Sequence, residues 1–190
     1  MLSVAGLGAG REPIFGTLGV QALAVAMTTT PTKLLFVCMG NICRSPAAEG
    51  VMNHLLRQRG LQDRYVCDSA GTIGYHAGSP PDERMQAAAR KRGIVLTGRA
   101  RQFEPADFER FDLILTMDRE NYWDVLALDP QRRYRDKVRM MCEFCRVYQA
   151  REVPDPYYGG PEGFERVLDL LMDACEGLLV ALEQGNLVER

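Results

Sequence analysis

Short apolar runs alternate with helical segments along most of this chain, and this alternation limits its fold more than any other feature. Residues 33–38 (KLLFVC) form a continuous apolar run of the kind found in buried parallel strands. A helix is predicted to begin at Ser45-Pro46, because serine is a good N-cap and proline a good first helical residue. Gly60 is predicted to end this helix, since glycine readily adopts the left-handed conformation that closes helices.

The same pattern of strand and helix continues towards the C terminus. Three further strands are predicted, at residues 65–69, 111–117 and 137–141. Three further helices are also predicted: one at residues 81–92, one that follows the third strand and includes Tyr122 and Leu126, and one at residues 162–184. Strands that alternate with helices are joined by right-handed crossovers, which build a parallel sheet covered on both faces. We therefore predict an α/β fold, doubly wound in a flavodoxin-like order, with a four-stranded parallel sheet and helices on both faces.

The first 32 residues differ from the rest of the chain. They are rich in glycine, alanine and threonine, and their only charged side chains before Lys33 are Arg11 and Glu12. Without a basic beginning they match a signal peptide poorly, so we predict a disordered leader or a mis-assigned start, with Met27 as an alternative first residue. The folded domain is predicted over residues 33–185, and residues 186–190 are predicted to form a short tail.

The composition argues against several kinds of partner. The formal net charge is −2 at pH 7, whereas binding to nucleic acids or membrane surfaces usually needs a strongly basic patch. No apolar run reaches the ~20 residues of a membrane-spanning helix. We therefore predict no nucleic-acid partner and no membrane partner. A chain of 190 residues can build a core without disulfides, so its six cysteines are predicted to be free thiols in the reducing cytoplasm.

The loop after the first apolar run, VCMGNICRSP, has the residues of an anion cradle. A loop between a strand end and a helix start can aim its backbone N–H groups inward, where the helix dipole also favours an anion. Gly40 and Asn41 tolerate the unusual dihedrals that such a loop requires, and Arg44 offers a fork for two phosphate oxygens. The same positive field favours the thiolate of Cys38, and Ser45 can stabilise that thiolate as it leaves.

The spacing of Cys38 and Arg44 is weak evidence by itself, because Cys145 and Arg151 repeat it. The second copy follows no strong strand, has no glycine between its ends and is not followed by a helix start. We therefore predict that only the first copy forms an oxyanion cradle with a nucleophile. The simpler alternative, that Cys38 is only a small buried side chain, does not explain the glycine, the asparagine or the arginine that follow it.

Two motifs give the chain a resemblance to a known family. The first is the loop V-C-x-G-N-x-C-R-S-P at residues 37–46, and the second is Asp155-Pro156-Tyr157-Tyr158. Together they resemble the motifs of the low-molecular-weight protein tyrosine phosphatases, and the similarity extends over residues 33–182. The resemblance implies a four-stranded parallel sheet with helices on both sides, and it implies catalysis with no metal and no cofactor.

The resemblance also implies roles for individual residues. Cys38 would be the catalytic nucleophile, Arg44 the phosphate binder and Asp155 the proton donor, although Asp155 alone would be interpreted as a turn residue. Hydrogen bonds of Asn41, Ser45 and Ser69 would tie the loop together, and Tyr75, Tyr157 and Met39 would line a pocket for an aromatic ring. The full set of implied substrate-binding residues is Met39, Gly40, Asn41, Ile42, Cys43, Ser45, Tyr75 and Tyr157.

The predicted enzyme is a phosphoric monoester hydrolase that acts on tyrosine-phosphorylated proteins and small aryl phosphates through a cysteinyl-phosphate intermediate. Cys43 is predicted to protect an oxidised Cys38 by forming a disulfide with it. The protein is predicted to be a monomer or a weak dimer. Simpler interpretations are kept for Asp118 as a helix cap, for His54 and His76 as solvated histidines, and for Tyr158 as a structural residue or a phosphorylation site.

Two other functions stay open at this stage. Arsenate reductases share the fold and a similar cysteine loop, and a thioredoxin-coupled reductase would need further cysteines after the third strand. Residues 116–125 (TMDRENYWDV) contain none, but Cys142 and Cys145 lie further along, with a redox or zinc spacing that we interpret as incidental. The second alternative is a module that binds phosphotyrosine without cleaving it. Such modules usually lack one of the three catalytic residues, all of which are present here.

Overall fold

The computed structural model describes residues 30–185. Most of the predicted leader, and the predicted tail at residues 186–190, lie outside the described residues. The strands are β1 (Thr32–Cys38), β2 (Tyr65–Gly71), β3 (Leu113–Thr116) and β4 (Val138–Met140). The α-helices are α1 (Arg44–Arg59), α2 (Glu83–Lys91), α3 (Asp107–Arg110), α4 (Arg119–Ala127) and α5 (Pro161–Gln184), and two 3₁₀ helices cover Arg135–Lys137 and Met141–Phe144.

The strands form one parallel sheet in the order β2-β1-β3-β4. This order is the flavodoxin-like one, so the predicted topology is confirmed. Cys38 at the end of β1 pairs with Gly71 at the end of β2, and Val37 pairs with Thr116 at the end of β3. The carboxyl ends of three neighbouring strands therefore meet at one edge, which is where ligands bind in folds of this kind.

The side chains of β1 alternate between two hydrophobic cores, because successive residues of a strand point to opposite faces of the sheet. Leu34 and Phe36 lie in the larger core with buried side chains of α1, α2 and α5. Leu35 and Val37 lie in the smaller core with buried side chains of α3 and α4. All four are fully buried, which explains why β1 is apolar from Leu34 to Cys38 and confirms helices on both faces.

The helix after the loop begins two residues earlier than predicted. It starts at Arg44 with Cys43 as its N-cap, and no side chain caps it. Ser45, the predicted N-cap, lies inside the first turn, and its hydroxyl contacts Cys38 and Asn41 of the preceding loop. The loop therefore uses the hydroxyl that the sequence pattern assigned to the helix cap. The other end is as predicted, because Gly60 closes the helix with a φ of 66°.

The 3₁₀ helix Met141–Phe144 packs closely against α5 at Gly177. A Cβ atom at this position would lie 1.9 Å from the carbonyl oxygen of Phe144 and 3.1 Å from Cγ of Arg146. A backbone carbonyl cannot turn aside as a flexible side chain can, so only glycine allows this approach of the two elements.

We expect Gly177→Ala to lower the free energy of unfolding by about 2–3 kcal/mol, because overpacking against the backbone strains the fold. Gly163→Ala in the same helix is the matched control, since its Cβ would lie at an ordinary distance of 3.6 Å from Cβ of Pro156. The control should be neutral or slightly stabilising, because alanine is a better helix former than glycine. Urea denaturation measures both changes. Equal stabilities of the two variants would contradict this description of the packing.

Candidate active site

The loop between β1 and α1 is held in a tight curl by Asn41. This residue has a φ of 54°, in the left-handed region that asparagine tolerates better than most residues. Its buried side chain joins two segments, because Oδ1 accepts the backbone N–H of Arg101 at 2.9 Å and Nδ2 donates to Oγ of Ser45 at 2.9 Å. Asn41 therefore fixes the shape of the loop from behind, as the resemblance implied.

Cys38 lies inside this loop, and the residue is only 3% exposed. The backbone N–H of Asn41 donates to the Cys38 sulfur from 3.3 Å, and the hydroxyl of Ser45 lies 3.0 Å away. The same hydroxyl lies 3.3 Å from the carbonyl oxygen of Ala70, so its one proton can go to either acceptor. A negative charge on the sulfur would draw this proton, and both neighbours would then stabilise a thiolate.

Arg44 is buried beside the loop and is fixed by two carboxylates. Its Nη2 donates to Asp155 Oδ2 at 2.9 Å, and its Nη1 donates to Asp118 and, at 3.3 Å, to the carbonyl oxygen of Val153. Burial opposes the charged form, but the charges of Cys38 and Asp155 and the hydrogen bond to Asp118 outweigh it and raise the pKa of Arg44. The guanidinium therefore stays charged, and its orientation is set before any ligand arrives.

Asp118 has a role that the sequence analysis missed. Its Oδ1 accepts the backbone N–H of Asn121 at 2.7 Å, which confirms the predicted cap of α4, while Oδ2 binds Arg44. The only signal in the sequence was its position just after β3. Because parallel strands end at the same edge of a sheet, a carboxylate at that position can reach the loop that follows β1.

Asp155 acts both as a turn residue and as a residue of the site. Its Oδ1 accepts the backbone N–H of Tyr157 at 3.0 Å, as expected of an aspartate in a turn. Its Oδ2 accepts from Arg44, and the residue borders the same pocket as Cys38. The two motifs that are far apart in the sequence thus meet in one site.

A pocket of about 370 Å³ opens at the carboxyl edge of the sheet. Its size is that of a small-molecule site. The residues that line it are Cys38, Met39, Gly40, Ile42, Cys43, Arg44, Ile73, Tyr75, His76, Asp155, Tyr157 and Tyr158. Of the predicted site residues, Asn41 and Ser45 lie behind the loop rather than in this lining. Ile73, His76 and Tyr158 are lining residues that the sequence analysis did not assign to the pocket.

His76 was predicted to be an ordinary solvated histidine, and in the structure it is partly buried and borders the pocket. Its ring contacts Tyr75 edge-on with centroids 4.9 Å apart, and it lies 6.5 Å from the ring of Tyr157. It also lies against the loop, because a Cβ atom on Gly40 would come within 3.0 Å of its Cδ2. Nothing in the local sequence distinguishes this histidine from one on the surface, since the fold brings Gly40 and Tyr157 next to it.

Cys43 borders the pocket but is buried. Burial raises the pKa of its thiol, and the negative charges of Asp82 and Cys38 raise it further. The Cys43 thiol therefore holds its proton more tightly than an ordinary cysteine does. Cys38 and Cys43 are both free thiols in the structure, as are the other four cysteines.

Ser69, which was predicted to tie the loop, donates its hydroxyl to Glu49 of α1 at 2.7 Å rather than to a residue of the loop. Burial raises the pKa of Glu49 to about 7, and the charge of Asp68 adds to this effect. The native protein therefore binds a proton at Glu49 more tightly than the unfolded chain does, so ionising this carboxyl costs stability.

We expect the free energy of unfolding to fall as the pH rises from 4.5 to about 7, the interval between the ordinary pKa of Glu49 and its raised value. Glu49→Gln can still accept from Ser69 but does not ionise, so its stability relative to the wild type should grow by about 2–3 kcal/mol across this interval. The free energies of unfolding of both proteins are measured with denaturant at about pH 5 and about pH 8, near the two ends of this interval. Parallel stability curves for the two proteins would contradict the assignment.

The site thus places a thiol inside a loop of backbone amides, with a fixed guanidinium and a carboxyl group at the same pocket. This arrangement is that of cysteine-dependent phosphatases, in which the loop and the arginine hold an oxyanion above the sulfur. Among residues 30–185 there is no group of three or more histidine, cysteine, aspartate or glutamate side chains that could hold a metal ion. Within the same residues, no helix is long and apolar enough to cross a membrane.

Comparisons with known proteins agree with this class. The family model of the low molecular weight phosphotyrosine protein phosphatases matches residues 33–187. A Synechocystis sp. protein that carries the name of a low molecular weight protein-tyrosine-phosphatase is 59% identical over 150 residues, which cover 79% of this chain and 96% of that protein. A solved protein tyrosine phosphatase from Entamoeba histolytica is 48% identical and superposes with a TM-score of 0.79. The match covers 81% of this chain and 98% of the Entamoeba chain.

A more distant solved relative is the Drosophila arginine phosphatase DARP, at 30% identity and a TM-score of 0.74, covering 80% of this chain and 98% of that chain. The chain therefore belongs to the low molecular weight phosphotyrosine protein phosphatase family. The enzyme class predicted from the two sequence motifs is confirmed by these relatives.

Proposed function

We propose that the chain hydrolyses phosphotyrosine in proteins through a cysteinyl-phosphate intermediate. The observation that carries this proposal is the environment of the Cys38 sulfur, which has the Asn41 N–H at 3.3 Å and the Ser45 hydroxyl at 3.0 Å. Arg44 and Asp155 border the same pocket. Together these groups supply the nucleophile, the anion binder and the acid that cleavage of a phosphate monoester needs.

In the first step, the Cys38 thiolate attacks phosphorus and the bond to the phenolic oxygen breaks. The loop amides and Arg44 hold the equatorial oxygens of the phosphoryl group. A bound phosphate competes with Asp155 for Arg44, to which that carboxylate is hydrogen-bonded at 2.9 Å. Once it is released from Arg44, Asp155 can act as the general acid that gives a proton to the leaving oxygen.

In the second step, water attacks the phosphorus of the cysteinyl phosphate and the sulfur–phosphorus bond breaks. Asp155, now ionised, takes a proton from the water as general base. The hydroxyl of Ser45, 3.0 Å from the sulfur, can donate to Cys38 as it leaves as a thiolate. The products are inorganic phosphate and the regenerated thiolate, so the cycle closes.

The proposed substrate class is an aryl phosphate, because apolar and aromatic side chains surround the mouth of the pocket. Met39, Ile73 and Tyr75 are exposed there, and Tyr157 faces the same space. These surfaces suit a phenyl ring, which has a flat apolar face. The DARP relative is named an arginine phosphatase. The side chain of a phosphorylated arginine is flexible and polar, unlike a phenyl ring, so an experiment can separate the two substrate classes.

The experiment compares initial rates on p-nitrophenyl phosphate and on one peptide sequence that carries phosphotyrosine, phosphoserine or phosphoarginine at the same position. We expect the two aryl phosphates to have the highest values of kcat/KM. A preference for the phosphoarginine peptide would contradict the proposed substrate class. Reduction of arsenate in the presence of thioredoxin, without phosphatase activity, would contradict the reaction itself. Cytoplasmic location and a monomeric or weakly dimeric state stay predictions.

Cys43 is proposed to shield Cys38 from irreversible oxidation. Peroxide converts the Cys38 thiolate to a sulfenic acid, and the Cys43 sulfur then displaces hydroxide from it, forming a disulfide and water. We expect the wild type to recover its activity with dithiothreitol after peroxide treatment, whereas Cys43→Ser should stay inactive relative to its own starting rate. Cys67→Ser is the matched control and should recover like the wild type. Peptide mapping that joins Cys38 to Cys142 or Cys145 would instead favour the reductase alternative.

A further inference from the structure

A second pair of thiols lies outside the active site, at the motif Cys142-x-x-Cys145. Cys142 is within the 3₁₀ helix Met141–Phe144, and Cys145 closes that helix by donating its backbone N–H to the carbonyl oxygen of Cys142 at 3.2 Å. In a 3₁₀ turn the side chains of residues i and i+3 eclipse, and a rise of about 2 Å per residue separates their Cα atoms by about 6 Å. This separation is within the range that a disulfide spans, about 4.4–6.8 Å.

The two thiols differ in their readiness to ionise. The Cys142 thiol donates a hydrogen bond to the Cys145 sulfur, which lowers the pKa of Cys145 and raises that of Cys142. Asp173 acts the other way, because its carboxylate accepts from Cys145 and its charge raises the pKa of that thiol. That carboxylate also accepts the backbone N–H groups of residues 146–148 at 3.0–3.1 Å, so it is held in place next to the sulfur. The net result is a pKa below the ordinary value for Cys145 and above it for Cys142.

The pair is also within reach of small reagents. Cys145 is only partly buried, and Cys142, although itself buried, borders an open cleft of about 400 Å³ on the surface next to Arg119 and Trp123. Cys175, by contrast, is fully buried, and burial raises its pKa well above the ordinary value. The combination of a turn that brings two sulfurs together and access from solvent separates this pair from the remaining thiols.

The groups that shift the pKa values of this pair differ from those around the catalytic loop. The charges that act on Cys142 and Cys145 come from each other, from Glu152 and from Asp173, whereas Cys38 acts on its loop neighbour Cys43. A zinc site would need further ligands, and residues 30–185 contain no cluster of three or more candidate ligands. A dithiol that reacts with its own partner fits these surroundings better than a relay to Cys38 or a structural metal site.

We propose that Cys142 and Cys145 form a second redox site, which a hydroperoxide closes to a disulfide and a dithiol reopens. The Cys145 thiolate attacks the peroxide oxygen, the O–O bond breaks, and the products are the Cys145 sulfenic acid and an alcohol or water. The Cys142 sulfur then attacks the Cys145 sulfur and displaces its hydroxide, which leaves as water with the Cys142 proton. The two thiols lose two electrons in total, and a dithiol returns them through thiol–disulfide exchange.

The experiment uses the full chain with Cys38→Ser and Cys43→Ser, which removes the catalytic pair and leaves four of the six cysteines. After mild treatment with hydrogen peroxide, free thiols are counted in denaturant and the peptides are mapped. We expect two thiols to disappear together, a peptide joined through Cys142 and Cys145, and full recovery with dithiothreitol. Adding Cys145→Ser should abolish the disulfide, whereas adding Cys67→Ser should leave it unchanged.

The unmodified chain, oxidised in the same way, provides a second measurement that does not depend on how the variants fold. It should yield the Cys142–Cys145 peptide whether or not Cys38 is protected by vanadate. The proposal fails if all four thiols survive, if they oxidise singly without a disulfide, or if Cys142 is found joined to Cys67 or Cys175. Protection of the pair by added zinc, with one metal bound per chain, would also overturn it in favour of a metal site.

Discussion

Replacing Cys38 by serine is expected to lower kcat on aryl phosphates by at least about 10⁴-fold, as loss of a catalytic nucleophile does in other enzymes. A serine hydroxyl is a poor nucleophile at neutral pH, and nothing in the loop is placed to take its proton as a base would. The binding of phosphate or vanadate should persist, because the loop amides and Arg44 are unchanged. Stopped-flow or steady-state rates measure the first effect, and calorimetry with vanadate measures the second.

Cys67→Ser is the matched control for this substitution, since Cys67 lies in β2 and is a free thiol outside the pocket lining. It should keep its activity. Substantial activity in Cys38→Ser, or a dependence of the remaining activity on Cys145, would contradict the assignment of the nucleophile. Loss of vanadate binding together with activity would mean that serine had disrupted the loop rather than removed the nucleophile.

Asp155→Asn is expected to slow the release of poor leaving groups by about 10²–10⁴-fold, the usual range for a general acid. The loss should shrink for substrates with acidic phenols, because their oxygens leave without a proton. Asparagine can still accept the backbone N–H of Tyr157, which Asp155 accepts at 3.0 Å, so the turn should survive. The measurement is kcat/KM for a series of aryl phosphates plotted against the pKa of the phenol.

Asp118→Asn provides a control of the same chemistry. Both carboxylates bind Arg44, but Asp155 borders the pocket and Asp118 does not. Asp118→Asn should therefore weaken phosphate binding to the same degree for every leaving group, giving a plot parallel to that of the wild type. If Asp155→Asn also gave a parallel plot, Asp155 would be a positioning residue for Arg44 and the general acid would have to be sought elsewhere.

The fold could be predicted from the sequence because its strongest signals are local. A strand segment that is buried on both faces must be apolar throughout, as residues 34–38 are, and a glycine ends the first helix where a left-handed residue is needed. The short helix α3 was missed, because a single helical turn carries too little periodicity to be recognised. Its buried Asp107 accepts hydrogen bonds from the backbone N–H of Glu104 and from Arg101, both at 2.9 Å. A sequence window around an aspartate predicts a surface loop and does not show that this carboxylate is buried.

The residues of the site also divide into those with a local sequence signal and those that only the fold brings together. The loop around Cys38 could be predicted because one continuous segment carries the nucleophile, the flexible residues and the arginine. Asp118 and His76 could not, because each joins the site from a different segment, and its local sequence fits a helix cap or a surface residue equally well. Sequence spacing identifies groups that act within one loop, whereas contacts between loops depend on strand order and register.

The most direct test of the account is to trap the covalent intermediate. A phosphotyrosine peptide is mixed with the enzyme, the reaction is quenched with acid during the first turnovers, and the digested protein is analysed by mass spectrometry. The account predicts one phosphoryl group on the peptide that contains Cys38, carried on sulfur, and none on the same peptide of Cys38→Ser. A phosphoryl group on another residue, or steady turnover with no phosphorylated enzyme at any quench time, would contradict it.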